Sequence, residues 1–388
     1  MAKPGWSVFK KIFRSREVST LIVLALLCVA ILLKSDAFFS TYNLRNLSRQ
    51  IGLLTIMGLG ETFVIIAGGI DLSMGSLVAF IGVVAACLLS PSPPQNFLDF
   101  QSLVASAVLP MLLLAGLAAV LYAMVRRMWA KRIAVAISVA ALVIIFLWGL
   151  CSLSPGEGGQ AQPFLVIPGI LLLCALIGVY HGVLVTYVNL PPFVVTLGSM
   201  CILRGFALLL TESLPVMIQD PFFEYIGNEN IAGVPVPFAL CVAITVVLAV
   251  LMRMTRFGRR LFAVGGNEIA TFYSGINVRR VKIWAYVLCA VLGGIAALLY
   301  SGYDRQGNPS SGAFYELNAI AAAVVGGASL MGGEGSMIGT FLGAGILQVI
   351  LNGINLIIRQ GSSLWEGVIV GIVVVAAVTF NTIRAQRE

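Results

Sequence analysis

The sequence predicts an all-α polytopic membrane protein, a bundle of about twelve transmembrane helices with both termini in the cytoplasm. Three observations carry this. Of 388 residues, 59% are hydrophobic and 10% charged, whereas a soluble domain is about a quarter charged. Apolar runs of about 20 residues, long enough to cross the hydrocarbon of a bilayer, recur along the chain. The remaining charges gather in a few loops, and the basic ones fall on one side of the resulting topology.

The elements follow in order. A basic start, including Lys10, Lys11, Arg14 and Arg16, precedes the apolar run 20–33, which ends at Lys34, Ser35 and Asp36 without a small-residue cleavage site. That reads as an uncleaved first span rather than a secretory signal, with its basic flank in the cytoplasm. Further spans are expected near 50–69, 73–90, 103–125, 133–153, 164–188, 193–211, 237–254, 283–303, 315–332, 336–357 and 365–383. This order puts Arg126, Arg127, Lys131, Arg132, the loop 255–282, Arg384 and Arg387 inside. It puts Glu212, Asp220, Glu224 and Glu229 outside, with Arg45 and Arg49 as the exceptions. The formal charge of +8 is thus a loop property and not a nucleic-acid footprint.

Two stretches break the apolar pattern at membrane depth. In 58–76, Glu61 and Thr62 lie mid-span, and Gly68 and Gly69 permit a non-helical backbone before Asp71 and Ser73, either of which can cap the next helix. Glu61 either lines a pore or is hydrogen-bonded within the bundle, because a charge at a helix centre costs roughly 2.5–3.5 kcal/mol. Asp71 reads first as a capped turn. The stretch 325–336 repeats the pattern with Glu334, and both breaks fall on the inner side, a hint of internal duplication. Glycines at 335, 339 and 343, and again at 367 and 371, have the spacing that lets helix backbones approach. Between the breaks, Pro191 and Pro192 kink the approach to a span that contains Arg204. His181, the only histidine, reads as a packing residue with no acid near it in sequence. Seven cysteines without clustered spacing predict neither a disulfide framework nor a metal site.

The loop 255–282 is the one long hydrophilic interruption, with Arg256, Arg259, Arg260, Arg279, Arg280 and Lys282 around a short helical segment. Asn267 and Glu268 suit a helix start; Ala270, Phe272, Tyr273 and Ile276 suit anchors for a partner's groove. The chain has no phosphate loop, no Gly-Lys dipeptide and no HExxH or Gly-x-Ser-x-Gly motif, so it reads as a non-enzyme with no catalytic residues, metal or cofactor of its own.

Four blocks, GETFVIIAGGIDLSMGS, NLPPFVVTLGSM, FGRRLFAVGGNEIATFYSGINVRRVK and AIAAAVVGGASLMGGEGSMIGT, stand in this order. Together they resemble the permease subunits of bacterial sugar importers of the ATP-binding-cassette class. The resemblance spans most of 40–383. It implies a single inner-membrane permease domain over 1–388, paired as a homodimer or pseudo-symmetric heterodimer. It also implies separate ATPase subunits that bind ATP-Mg, and a periplasmic binding protein that delivers a sugar or related solute. Loop 255–282 then carries a coupling helix made of Gly266, Asn267, Glu268, Ile269, Ala270, Phe272, Tyr273, Ser274, Gly275 and Ile276. The pathway and gate candidates are Glu61, Thr62, Gly68, Gly69, Asp71, Ser73, Phe193, Thr196, Arg204, Glu316 and Glu334. Two features depart from the family: about ten spans are usual there, so 91–163 reads as an inserted helical hairpin, and His181 stands where Asn is more frequent. The alternative from another class is an ion-coupled secondary transporter or channel that needs no ATPase.

Overall fold

A computed structural model describes residues 16–103 and 163–358, together with part of 365–379. The basic start up to residue 15, the predicted spans 103–125 and 133–153 with most of the expected insertion, and Arg384 and Arg387 lie outside the described residues.

Helices α1 (Arg16–Leu32) and α2 (Thr41–Ile66) are joined by a 3-10 turn at Asp36–Phe39, and Ser40 caps α2 by accepting from the Asn43 N–H. Then come α3 (Met74–Leu89), α4 (Gln95–Leu103), α5 (Pro163–Thr186), α6 (Pro192–Leu210) and α7 (Pro221–Asn228). The second half holds α8 (Val236–Met254), α9 (Arg256–Gly266), α10 (Glu268–Tyr273), α11 (Val278–Asp304), α12 (Tyr315–Val325) and α13 (Met337–Ile357). Two antiparallel strand pairs, β1 (Val216–Met217) with β4 (Gln306–Gly307) and β2 (Asn230–Ile231) with β3 (Val234–Pro235), tie loops at one end of the bundle.

Among the described residues six helices, α2, α5, α6, α8, α11 and α13, are long and apolar enough to cross a membrane. They are not equivalent. In α2, 89% of the most apolar window is buried in protein, against 28% in α5 and α8. The polar-tolerant helix is therefore the axis, and the purely apolar ones form a rim suited to lipid. Close approach is made by glycine: Gly178 and Gly182 of α5 lie against the backbones of Tyr286, Val287 and Ile283 of α11. Gly339 and Gly343 of α13 meet Gly326 and Ala322 in the same way, a packing use of the four-residue spacing. Gly367 and Gly371 meet nothing comparable.

Two predicted spans come out short. α3 has 16 residues, because the backbone from 67 to 73 is not helical. α12 has only 11, about 16 Å against the roughly 30 Å hydrocarbon core. The run expected at 315–332 stops at Gly326, where Gly327 turns with φ of 97°. Ahead of α12 the chain is non-helical, with a two-residue strand and turns. After α11, residues 305–314 run along α3, with Gly307 against Gly82 and Gly312 against Gly75. Non-helical backbone persists at such depth only where protein or a cavity satisfies it. Here Arg204 of α6 donates through Nη1 to the carbonyls of Pro309 and Ser311, at 2.6 Å each.

Candidate functional site

Three places in the bundle carry polar chemistry. The first is the basic-loop end. Thr255 caps the amphipathic α9, whose Gly258, Leu261 and Val264 are buried while Arg256, Arg259 and Arg260 face out. Its last residues, Gly265 and Gly266, lie against both glycine breaks at once. The Gly333 N–H donates to the Ile66 carbonyl at 3.0 Å, and a Cβ on Gly265 would overlap both groups. Only glycine permits this three-way backbone junction.

The short helix α10 stands directly on it. Asn267 caps α10 by accepting from the Ala270 N–H at 2.9 Å, the start that its sequence suggests. The Thr271 hydroxyl ties α10 back to the Ala263 carbonyl at 2.8 Å, and Lys282 pairs with Glu268 at 2.5 Å. Beside the exposed Asn267 and Glu268 stand three large apolar side chains: Ile269, Phe272 and Tyr273 are 71%, 65% and 82% exposed. They border a groove shared with Val185, Thr186 and Asn189 at the end of α5, near which Arg279 lies over the Tyr187 ring.

The second place is a sealed charged cluster behind the first break. Glu61 is 0%, Asp71 2% and His181 0% exposed. Asp71 Oδ1 accepts from the Ser73 N–H and hydroxyl at 2.8 and 2.6 Å and closes the turn before α3, whereas the N-cap position itself is Ser73, which makes no side-chain capping bond. Its other oxygen faces His181 Nδ1 at 3.6 Å and Cys289 Sγ at 3.8 Å. Glu61 accepts weakly from the Asp71 N–H at 3.4 Å. The cluster thus joins α2, the break, α5 and α11. The acid that His181 lacks in sequence is 110 positions away and comes from the break.

The third place is the broken span. A cavity of about 430 Å³ opens where α12 begins, on the side of the bundle away from α10. Gln50, Asn318, Gln348 and Asn355 contribute amides, and Tyr300, Tyr303, Tyr315 and Phe314 contribute rings. Tyr300 and Tyr315 meet edge-on at 5.6 Å. Phe314 takes a left-handed backbone (φ 65°) and leaves its ring 55% exposed. No charged side chain lines this cavity among the described residues.

The remaining pathway candidates are spread among these places. Thr62 is buried, bonding the Gly58 carbonyl and the Thr340 hydroxyl at 2.7 Å each. Thr196 donates to the carbonyls of Pro192 and, from beneath the break, Ile70. Gly69 lies under the Tyr286 hydroxyl, whereas Gly68 is exposed with φ of 79°. Phe193 is 54% exposed on the flank of α6, Glu316 is half-buried beside Gly75, and Glu334 is exposed on the second break. None of these residues lines the amide cavity. Sequence reasoning missed Gln50, Asn318, Gln348 and Asn355. The available signal was a set of uncharged amides inside apolar runs at 50–69, 315–332 and 336–357.

The family described as "Branched-chain amino acid transport system / permease component" matches residues 43–164 and 140–378. The chain belongs to this permease family. The permease is 32% identical over 366 residues to the ribose import permease protein RbsC of Escherichia coli (strain K12), covering 93% of this chain and 92% of that one. It is 32% identical over 388 residues to the probable ABC transporter permease protein YphD of the same organism, covering 99% and 96%. It is 27% identical over 369 residues to the D-allose transport system permease protein AlsC, also of E. coli, covering 94% and 91%. No solved structure matches. The permease is a membrane-spanning transport subunit of the ATP-binding-cassette importer class, a multi-pass protein of the inner membrane.

Proposed function

We propose that this permease carries a monosaccharide inward, driven by separate cytoplasmic ATPase subunits that bind ATP-Mg and fed by a periplasmic binding protein. The single observation behind the coupling is α10, a capped and braced knuckle with three large apolar side chains in water. Isolated exposed apolar residues are ordinary, but three on one rigid turn beside a groove form an interface core awaiting a partner. The sugar reading draws on the relatives named for ribose and allose import.

In this reading the twelve-span topology holds, with both termini and loop 255–282 in the cytoplasm, and 91–163 is a peripheral hairpin. Two permeases, identical or pseudo-symmetric, form the pore. ATP closure pushes α10, and the motion reaches both breaks through the glycine junction. A ligand or partner drives such a change only through contacts that differ between states. Backbone-to-backbone packing at Gly265, Gly332 and Gly333 offers a stiff route, because no flexible side chain intervenes.

The test is the double variant Glu268→Arg with Tyr273→Ala. It should express normally and lose stimulation of ATP hydrolysis by its partner ATPase; unaltered stimulation would remove the coupling role. A second reading, ion-coupled transport without an ATPase, is favoured by the buried Glu61, Asp71 and His181. It requires uptake into vesicles containing the permease alone under a proton or sodium gradient. The ATPase-driven reading requires none there.

A further inference from the structure

We infer that the amide-lined cavity at the start of α12 is a solute-binding station of the permease itself, built for an uncharged polyhydroxylated ring and selective against zwitterions. The inference rests on the importer reading above and adds a site and a substrate chemistry to it. At about 430 Å³ the cavity is within the range of roughly 300–1,000 Å³ usual for small-molecule sites.

Its lining fits one class of solute. Each carboxamide presents a donor and an acceptor side by side, and each hydroxyl of a polyol is itself both, so four amides can satisfy several hydroxyls without a fixed polarity. The tyrosine faces give the C–H side of a ring an apolar surface. A zwitterionic amino acid would have to shed the hydration of two full charges, with no counter-charge among the described lining residues to replace it. Arg49, which stands next to Gln50, does not supply one. It is 8% exposed, donates to Asn46 and to the Asn228 carbonyl, and lies over the Tyr303 ring at 5.2 Å.

Asn318 is the second, independent observation. It lines the cavity in the first turn of the half-helix, is 3% exposed, and its Oδ1 has no hydrogen-bond partner. A buried polar atom without a partner is unfavourable, and a hydroxyl donor arriving in the cavity removes that penalty. Phe314 is held at the same point in a backbone region that non-glycine residues rarely adopt, and its ring is directed away from the protein core.

The test uses the complete assembly (permease, ATPase and binding protein) in vesicles. It measures ATP-driven uptake of radiolabelled D-ribose, D-allose and L-leucine, with ATP hydrolysis followed in parallel. The wild type should carry at least one of the sugars and not leucine. Asn318→Leu and Gln348→Leu should each lower sugar flux about tenfold, the scale of one lost hydrogen bond, while stimulated ATP hydrolysis is kept. Sugar flux unchanged in both variants, or leucine carried as well as sugar, overturns the site. If Asn318→Leu lowers ATP hydrolysis too, its packing is at fault, and the half-exposed Gln348 decides alone. A wild-type assembly that carries no solute overturns the importer reading and the station with it.

Discussion

Glu61, Asp71 and His181 are shut away at 0–2% exposure behind the first break, whereas Gln50, Asn318, Gln348 and Asn355 surround an open cavity at the broken span. Both sets stand inside apolar helices of one bundle. The charged set is partly engaged with itself: Ser73 donates to Asp71 Oδ1, His181 faces Oδ2 and Glu61 reaches the Asp71 amide, while Glu61 Oε1 and both His181 nitrogens have no hydrogen-bond partner. The neutral set is left free to meet something else. In a low-dielectric interior a charge demands a committed partner, while a carboxamide can wait for one at a far smaller penalty. On the proposed reading of an uncharged solute, neutral amides are therefore the better pointers to a pathway, and intramembrane charges point first to architecture.

The comparison breaks most readily at Asp71. Replacing it with Ala leaves the donors of Ser73 without an acceptor and His181 without its acid, in a site water does not reach. The expected cost is about 3–5 kcal/mol, seen as a large fall in the detergent unfolding midpoint. Asp71→Asn keeps an oxygen for Ser73 and should cost about half as much. An Asp71→Ala protein as stable as the wild type would mean the cluster is not structural, and would return these residues to the pathway.

Next in size is Arg204, which holds the non-helical segment that leads to Ala313 and Phe314 of the cavity wall. Arg204→Met strands the carbonyls of Pro309 and Ser311, at about 2 kcal/mol for charge-assisted bonds to a partly exposed donor. Hydrogen exchange should rise in 305–314 and stay slow in α2. Uniform loosening of both would show that Arg204 serves the whole bundle rather than this segment.

Much of this was legible in advance, and the omissions have physical causes. Apolar run lengths located α2, α5, α6, α8, α11 and α13 within a few residues, because the bilayer sets that length. The marked boundary errors among them are α2, expected from 50 but starting at Thr41, and α11, expected from 283 but starting at Val278. The first turns of α2 are polar, with Asn43 bonded to the Phe38 carbonyl and Asn352. Asn267 was readable as a cap because capping is local. The half-length of α12 was not readable: glycine marks where the helix ends at 326, but nothing near 305–314 says that a non-helical segment packs along α3 before the helix begins. The partner of His181 and the convergence of four amides from α2, α12 and α13 are tertiary facts, and no spacing along the chain encodes them. Arg204 could be flagged as needing a partner; that the partner is backbone could not.

The smallest effect sharpens the comparison furthest. Gln348→Leu makes the same kind of change as Asp71→Ala, polar to apolar in the middle of a helix, yet its stability cost should stay within about 0.5 kcal/mol. Gln348 is only partly buried and lines open space, so its amide is hydrated when the cavity is empty and its loss strands no protein partner. Leucine is also at least as good a helix former as glutamine, so α13 itself is not weakened. Unfolding midpoints of Gln348→Leu and wild type in the same detergent should therefore coincide to within a few degrees, although solute flux falls. A midpoint drop comparable with that of Asp71→Ala would show Gln348 to be engaged in the fold. The line between a cluster sealed from water and a cavity open to it would then no longer separate the two regions.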